Sequence, residues 1–227
     1  CALPILIGHT FAGTKPLIQS VGFNGSYLEF MAPGVIILTA IFTSIFGGVN
    51  TLWDRRYGFM NKALVSPVSR SSIALGKMLA ISVISAMQSA LIIGIAIIIG
   101  VTFSNFLVIV PIMAIVILFS LGFSGISVIV AATAKSQETF WGIINFLGMP
   151  LFMLSPALFP LELLPDWLAG IAKLNPVTYT VLLVREMMTG VTEGVSTFMS
   201  IGIIGIFVVS MLVLASYVFT REVNKPF

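Results

Sequence analysis

Reactive and metal-binding side chains are scarce in this chain of 227 residues, which holds one cysteine, Cys1, and one histidine, His9. A single cysteine excludes an intramolecular disulfide and a cysteine-based metal cluster. Charged residues make up 8% of the chain, whereas a soluble domain has about 25%. Hydrophobic residues make up 58%, and the mean hydropathy is +1.13. The composition therefore excludes an ordinary soluble domain and indicates an integral membrane protein.

Arrangements of side chains that support catalysis are also missing from the sequence. It contains no Ser/His/Asp set, no carboxylate pair at a workable spacing and no cluster of metal ligands. Gly8 and Gly13 have the spacing of a phosphate-binding loop, but Thr14-Lys15-Pro16 follows where Lys-Ser/Thr is required. We therefore expect that the chain is not an enzyme and binds no cofactor itself. The apolar runs also lack a central acidic relay, which counts against a proton-driven carrier.

Long apolar runs divide the chain into candidate membrane spans. About 20 apolar residues suffice to cross the hydrocarbon core. Full spans are expected over 31–52, 73–100, 106–134, 140–155 and 198–220, with a partial first span over about 1–12. Because the chain does not begin with Met, we expect a fragment or a processed form of a six-span protein. The whole of 1–227 is interpreted as a single all-α transmembrane domain.

The most basic stretch lies between the first two full spans, from Trp53 to Lys77. It holds five of the eleven basic side chains of the chain. A basic loop between two spans faces the cytoplasm by the positive-inside rule, and this orientation also places the C-terminus in the cytoplasm. The pattern within the loop predicts a short helix along the membrane surface, a break at Pro67 and a new helix that enters the membrane. Because the positive charges lie beside membrane spans, no nucleic-acid partner is expected.

Three ordered motifs resemble those of ABC-2 type permeases, the membrane subunits of one class of ATP-driven exporters. The first is Asp54-Arg55-Arg56-Tyr57-Gly58, followed by Ser66-Pro67-Val68-Ser69-Arg70 and Gly76-Lys77. The second is the run from Tyr27 to Gly34, and the third is Asn175-Pro176-Val177-Thr178-Tyr179 with Arg185 and Gly190. The similarity is closest to the drug- and polysaccharide-export permeases of the daunorubicin-resistance and nodulation-export kind.

The resemblance implies a type V exporter-like fold with six spans, a cytoplasmic coupling helix and external re-entrant helices. It also implies a separate ATPase subunit that hydrolyses the ATP, and pairing with a second copy or a related permease. The coupling loop is expected over 53–72. ATPase coupling is then expected from Asp54, Arg55, Arg56, Gly58, Lys62, Ser66, Pro67, Arg70, Gly76 and Lys77. The competing interpretation is that the positive charges only bind anionic membrane lipids.

Residues 156–190 combine repeated prolines with strongly apolar side chains. Apolar side chains gain nothing in water, so this segment is expected to lie in the outer leaflet or on the other spans. The stretch from Pro176 to Thr189 is too short to cross, and Arg185-Glu186 would be costly in hydrocarbon. A re-entrant hairpin satisfies both facts, and a true extra span is the competing interpretation. The hairpin would form an external lid with Pro176, Tyr179, Arg185 and Glu186, the last two pairing or contacting cargo headgroups near its rim.

Two polar or small-residue features within the spans have more than one interpretation. The small face that includes Ala40 and Ser44 indicates packing within the subunit, the seam with a second copy or part of a cargo path. Gln88 indicates either an interhelical hydrogen bond or a cargo contact.

The function expected is outward export of a hydrophobic or amphipathic cargo, such as a drug, a lipid or a lipid-linked glycan, across the cell membrane. A non-transporting assembly or immunity component, or a secondary carrier, is the alternative.

Overall fold

The structure, a computed structural model, describes residues 27–101, 105–157, 166–190 and 195–222. No strand occurs within these ranges, so the described chain is all-α, as the sequence predicted. The nine α-helices in these ranges are α1 (Tyr27–Phe46), α2 (Val49–Arg56), α3 (Phe59–Val65), α4 (Arg70–Ile99), α5 (Ile109–Thr133), α6 (Gln137–Met153), α7 (Asp166–Ala172), α8 (Pro176–Thr189) and α9 (Thr197–Glu222). The partial first span expected near 1–12 lies outside the described residues.

Within the described ranges, four helical stretches are long and apolar enough to cross a membrane, so the chain is a multi-pass membrane protein. They are Leu28–Arg56, Arg70–Ile99, Phe106–Thr133 and Thr197–Glu222. These stretches overlap the runs at 31–52, 73–100, 106–134 and 198–220 for which the sequence predicts spans. The first of them contains both α1 and α2, and each of the others contains one long helix.

The expected span at 140–155 falls on α6, which has 17 residues. At 1.5 Å per residue this helix is about 26 Å long, a little shorter than the ~30 Å hydrocarbon core. A full crossing at this place therefore stays a prediction.

Helix α5 lies at the centre of the fold, because it packs against α1, α4 and α9 and also contacts α2, α6 and α8. Small side chains allow this close approach of helices. The Ser120 hydroxyl of α5 lies 2.7 Å from the Ser85 hydroxyl of α4. A Cβ atom on Gly122 would lie 2.7 Å from the ring of Phe207 on α9. Helix α5 is therefore in close contact with both α4 and α9.

Helix α1 is the most enclosed part of the candidate spans, because α4, α5, α6 and α8 all contact it. Its small residues Ala40 and Ser44 are fully buried within the subunit. The interpretation that places the seam between two copies at these residues is therefore wrong, and the interpretation as packing within the subunit is confirmed. The backbone of α1 is also approached closely, since a Cβ atom on Gly34 would lie 2.0 Å from the carbonyl oxygen of Ala157.

Gln88 of α4 faces α1, where the Thr43 hydroxyl donates a hydrogen bond to its Oε1 atom. The interpretation of Gln88 as the partner in an interhelical hydrogen bond is therefore confirmed. Such bonds between neighbouring helices in a membrane contribute about 0.6 kcal/mol on average.

Candidate functional site

The first part of the candidate site is the basic elbow, which we define as residues 53–72. Helix α2 ends at Arg56, and Gly58 follows with a φ of +77°, a left-handed conformation that glycine adopts without strain. The short helix α3 then runs to Val65. Ser69 begins α4, because its hydroxyl accepts a hydrogen bond from the Ser72 amide at 3.2 Å. The elbow thus has the short helix, the break at Pro67 and the new helix that the sequence pattern predicted.

Three charged residues near the elbow are engaged with the rest of the chain. Arg55 donates hydrogen bonds from Nη1 to the carbonyl oxygens of Ala131, at 3.0 Å, and Ala132. Both carbonyls belong to the last turn of α5. Lys77 of α4 forms an ion pair with Asp54 of α2. These side chains therefore join α2 to α4 and α5 and do not form the outer surface of the elbow.

The outer surface of the elbow carries both basic and aromatic side chains. Arg56, Lys62 and Arg70 are exposed. Tyr57 and Phe59 are 68% and 57% exposed, and the Lys62 ammonium lies 5.5 Å from the centre of the Phe59 ring. Neither aromatic residue is among those that the sequence analysis expects to take part in ATPase coupling. The signal for both was present, since aromatic residues beside basic ones are typical of surfaces that bind another protein.

Ser66, Pro67 and Gly76, which the resemblance assigns to coupling, are also exposed. Ser66 and Pro67 lie in the break between α3 and α4. Gly76 lies within α4, where no atom comes within 4 Å of the place that a Cβ would take. The structure therefore gives the first two a role in the bend and leaves the Gly76 face open.

The second part of the candidate site is α8, which packs against the first turns of α1, at the end of the Leu28–Arg56 stretch opposite to the basic elbow. Asn175 begins this helix, because its Oδ1 atom accepts a hydrogen bond from the Val177 amide at 3.0 Å, and Pro176 occupies the first turn. The Asn175 amide group also donates to the carbonyl oxygen of Leu151 at 2.9 Å. The Tyr179 hydroxyl donates to the Lys173 carbonyl oxygen at 2.7 Å. The Asn-Pro and Thr-Tyr motif thus attaches α8 to the residues before it and to the end of α6.

Arg185 lies inside the protein with only 1% of its surface exposed. Its Nη2 atom donates to the Pro156 carbonyl oxygen at 2.8 Å, and its guanidinium carbon lies 3.9 Å from the centre of the Phe30 ring. The expectation that Arg185 contacts cargo headgroups at a rim is therefore wrong. A carbonyl oxygen and an aromatic face together replace part of the hydration of the cation, which makes its burial tolerable.

Glu186 is half-buried and accepts hydrogen bonds from the Thr197 hydroxyl at 2.9 and 3.0 Å. Thr197 is the first residue of α9. Adjacent residues of α8 therefore attach this helix to two different parts of the fold, α1 through Arg185 and α9 through Glu186.

A crevice of about 200 Å³ lies between α1 and α6. Phe42 and Phe46 of α1 and Phe152 of α6 form the aromatic part of its wall, and the ring centres of Phe42 and Phe152 are 5.7 Å apart. Asn145 contributes a polar group to the otherwise apolar lining. Pockets that are mainly apolar with a few polar groups suit amphipathic small molecules.

Comparison with known proteins identifies the family. Residues 2–189 match the ABC-2 type transporter family, which is most of the chain. The chain belongs to this family. The match covers the basic elbow, the crevice and α8, while α9 follows it. The resemblance that the three sequence motifs indicated is therefore confirmed.

Several named proteins are similar to this ABC-2 chain. A transport permease named ycf38 from Cyanophora paradoxa is 31% identical over 182 residues, which cover 80% of this chain and 62% of the relative. Nodulation protein J from Rhizobium leguminosarum bv. trifolii is 25% identical, over 83% of this chain and 76% of its own length. The daunorubicin resistance ABC transporter permease protein DrrB1 from Streptomyces coeruleorubidus is 23% identical, with coverages of 80% and 66%. The chain spans a little under two thirds of the length of ycf38 from Cyanophora paradoxa.

The start of α6 lies near the basic elbow of this ABC-2 chain. The Ser136 hydroxyl accepts a hydrogen bond from the Thr139 amide at 3.2 Å and so begins α6. The Glu138 carboxylate accepts hydrogen bonds from this hydroxyl and from its own backbone amide, and these bonds, with a smaller effect of the positive charge of Arg56, lower the pKa of that carboxyl below its usual range. Arg56 therefore lies where its charge reaches both the outer surface of the elbow and the loop before α6.

Among the described residues, no group of three or more His, Cys, Asp or Glu side chains is placed to hold a metal ion.

Proposed function

We propose that this chain is the membrane subunit of an ATP-driven exporter and that a separate ATPase subunit hydrolyses the ATP. The observation that supports the proposal best is the basic elbow. Its short helix α3 presents exposed aromatic and basic side chains and is joined on both sides to helices long enough to cross a membrane. A partner that moves α3 would move the ends of α2 and α4 with it.

The elbow is proposed to face the cytoplasm, and the end of α9 to lie on the same side. Basic residues favour the cytoplasmic side of a membrane. Glu222 at the end of α9 lies close enough to Arg55 for a favourable electrostatic interaction. The Arg55 hydrogen bonds bring the end of α5 to the same place. Three helix ends therefore meet beside the elbow, which supports a cytoplasmic C-terminus.

The residues of the elbow divide into two groups in this proposal. Arg56, Lys62 and Arg70 contact the ATPase together with Tyr57 and Phe59, because these side chains are exposed. Asp54, Arg55 and Lys77 position α2, because they contact other helices of the same chain. Gly58 and the break at Ser66-Pro67 set the angles of α3. Anionic lipid beside the elbow is a second partner for the same basic side chains.

The cargo is proposed to be hydrophobic or amphipathic, as a drug, a lipid or a lipid-linked glycan is. The support is the crevice between α1 and α6, whose aromatic walls and single amide suit a molecule with an apolar body and a polar group. Its volume of about 200 Å³ is smaller than the ~300–1,000 Å³ of typical ligand pockets. A second copy or a related permease is therefore proposed to complete the path.

Reconstitution tests this function directly. The chain would be produced together with a candidate Walker-motif ATPase from the same organism, purified, and inserted into vesicles with a fluorescent lipid or an apolar dye. We expect the two proteins to purify together and the probe to move only when ATP is present. Movement driven by a proton gradient without the ATPase would support a secondary carrier instead. A stable complex that hydrolyses ATP but moves none of a panel of drugs, lipids and lipid-linked glycans would support a non-transporting component.

A further inference from the structure

The carboxyl end of α5 has backbone acceptors that the helix itself cannot satisfy. The last four carbonyl groups of an α-helix have no intrahelical partner. In α5 the Val130 carbonyl accepts the Ala134 amide at 2.8 Å. The next two carbonyls, of Ala131 and Ala132, accept hydrogen bonds from Arg55. A side chain of the basic elbow thus completes the end of the central helix.

Arginine suits this position for geometric and electrostatic reasons. Its planar guanidinium has several donors in a fixed arrangement, so one side chain can bond two neighbouring carbonyls. Its positive charge also interacts favourably with the negative end of the helix dipole. Glu222 at the end of α9 adds a further favourable charge interaction. Arg55 therefore joins three elements that are distant in sequence, namely α2, α5 and α9.

Two of the elements that Arg55 joins, α5 and α9, are also the pair of helices that pack most extensively on each other. Helix α5 packs more extensively on α9 and on α4 than any other two helices of the described chain pack on each other. Arg55 lies just before α3, and the Asp54–Lys77 ion pair attaches α2 to the first turns of α4. A shift of the elbow therefore reaches α4 through Lys77 and reaches α5 and α9 through Arg55.

We propose that Arg55 is a positioning residue that transmits movement of the basic elbow to the carboxyl end of α5, and through α5 to α9. The inference rests on the proposed function, because it assumes that an ATPase moves the elbow. The backbone already connects α3 to α1, through α2, and to α4. The hydrogen bonds of Arg55 add a third connection, which leads to α5. Without Arg55, movement of the elbow would reach α5 and α9 only through the packing of side chains between helices.

A purely structural cap makes different predictions from a transmitting contact. If Arg55 only stabilises the end of α5, its removal lowers the stability of the fold and leaves the number of cargo molecules moved per ATP unchanged. If Arg55 transmits movement, its removal leaves ATPase binding and ATP hydrolysis in place but lowers that number. The decisive quantity is therefore the ratio of transport to hydrolysis in the assembled complex.

The test compares Arg55→Gln and Arg55→Lys with Lys135→Gln in the complete complex in vesicles. Lys135 is a matched control, because it is an exposed basic residue just beyond the same end of α5. We expect Arg55→Gln to bind the ATPase normally and to lower the transport-to-hydrolysis ratio by about fivefold or more, the lower end of the usual range for coupling between sites. Arg55→Lys should give an intermediate ratio, since it keeps the charge and loses the planar donors. Lys135→Gln should match the unmodified complex.

A second measurement follows the backbone at the carboxyl end of α5 and does not require a transport assay. Amide hydrogen exchange of residues 126–136 in the unmodified complex should change when a non-hydrolysable ATP analogue is added, and the change should be lost in Arg55→Gln. Equal transport-to-hydrolysis ratios in Arg55→Gln and Lys135→Gln, or exchange at 126–136 that ATP analogues leave unchanged, would overturn the inference. If the unmodified chain neither binds an ATPase nor transports, the proposed function fails first and the inference fails with it.

Discussion

The guanidinium of Arg185 lies over the ring of Phe30, with 3.9 Å between its central carbon and the ring centre. Phe30 belongs to the first turns of α1, and the Pro156 carbonyl that accepts the Arg185 hydrogen bond follows α6. One buried cation therefore holds three separate segments together at the end of the fold opposite to the basic elbow. Two of these segments, α1 and the residues after α6, meet again where the Gly34 backbone contacts Ala157.

Replacement of Arg185 by methionine is expected to destabilise the protein by about 1.5–3 kcal/mol, because a charge-assisted hydrogen bond and a cation–π contact are lost together. Arg185→Lys should lose less, since an ammonium keeps the charge but not the planar stacking. The measurement is thermal unfolding in detergent, in which the fraction of protein that stays soluble is recorded as the temperature rises. Lys173→Met is the matched control, because Lys173 is an exposed cation that lies two residues before Asn175, the capping residue of the same helix. Equal stability of Arg185→Met and Lys173→Met would contradict the assigned role.

Gly34→Ala tests the close contact between α1 and the residues after α6. The added Cβ atom would lie 2.0 Å from the Ala157 carbonyl oxygen, so one backbone must move. Overpacking of this kind costs about 1–3 kcal/mol. Gly202→Ala is the control, because no atom lies within 4 Å of the place that its Cβ would take. That variant should be neutral or more stable by up to about 1 kcal/mol, since alanine favours the helix. A fold that tolerates both changes equally would show that the contact is not close.

Charge reversal on the outer surface of the basic elbow tests which residues bind the ATPase. The triple variant Arg56→Glu, Lys62→Glu and Arg70→Glu should lower affinity for the ATPase by about tenfold or more, and the unmodified complex should weaken as salt is added. Arg55 is left unchanged because it bonds within the chain. The measurement is co-purification at graded salt concentrations.

The control for charge reversal is Lys173→Glu, which changes the charge of an exposed side chain far from the elbow in sequence. If the triple variant keeps its ATPase and loses only its association with anionic lipid, the lipid interpretation of the elbow is the correct one.

The long helices and the bends of the elbow could be predicted because their signals are local. Each long helix is indicated by its own continuous apolar run. The starts of α4 and α8 are indicated by the serine before Arg70 and the asparagine before Pro176. The direction of each charged side chain could not be predicted in this way. Neighbouring residues on a helix point about 100° apart, so Arg55 turns towards α5 while Arg56 stays exposed. The charge rule counts both equally.

The burial of Arg185 was unpredictable for a related reason. A charge in an apolar helix is expected to avoid hydrocarbon, and the sequence does not indicate which distant groups could accept a hydrogen bond from it. Its partners, the Pro156 carbonyl and the Phe30 ring, come from distant parts of the chain. The small face around Ala40 was ambiguous because small residues serve packing within and between subunits equally well.

Single-cysteine labelling tests the orientation of the whole fold and the re-entrant hairpin together. After Cys1→Ser, cysteines would be placed at three exposed positions, Leu174 before α8, Val65 in α3 and Arg221 in α9. With α7 and α8 as a hairpin that enters and leaves the outer leaflet, Leu174→Cys should react with a membrane-impermeant reagent in intact cells. Val65→Cys and Arg221→Cys should react only after the membrane is opened.

The three positions separate the competing topologies because each predicts a different pattern. If α8 with its flanking residues were a true extra span, Val65 and Arg221 would lie on opposite sides, and Arg221→Cys would react in intact cells. That arrangement would also move a basic helix end to the outside, against the positive-inside rule. The structure opposes it, because Phe219 near the end of α9 packs in one buried cluster with Met60 of the elbow, and Glu222 interacts favourably with Arg55, so both ends lie on the same side. External labelling at Arg221 with internal labelling at Val65 would therefore refute the hairpin and the electrostatic contact at once.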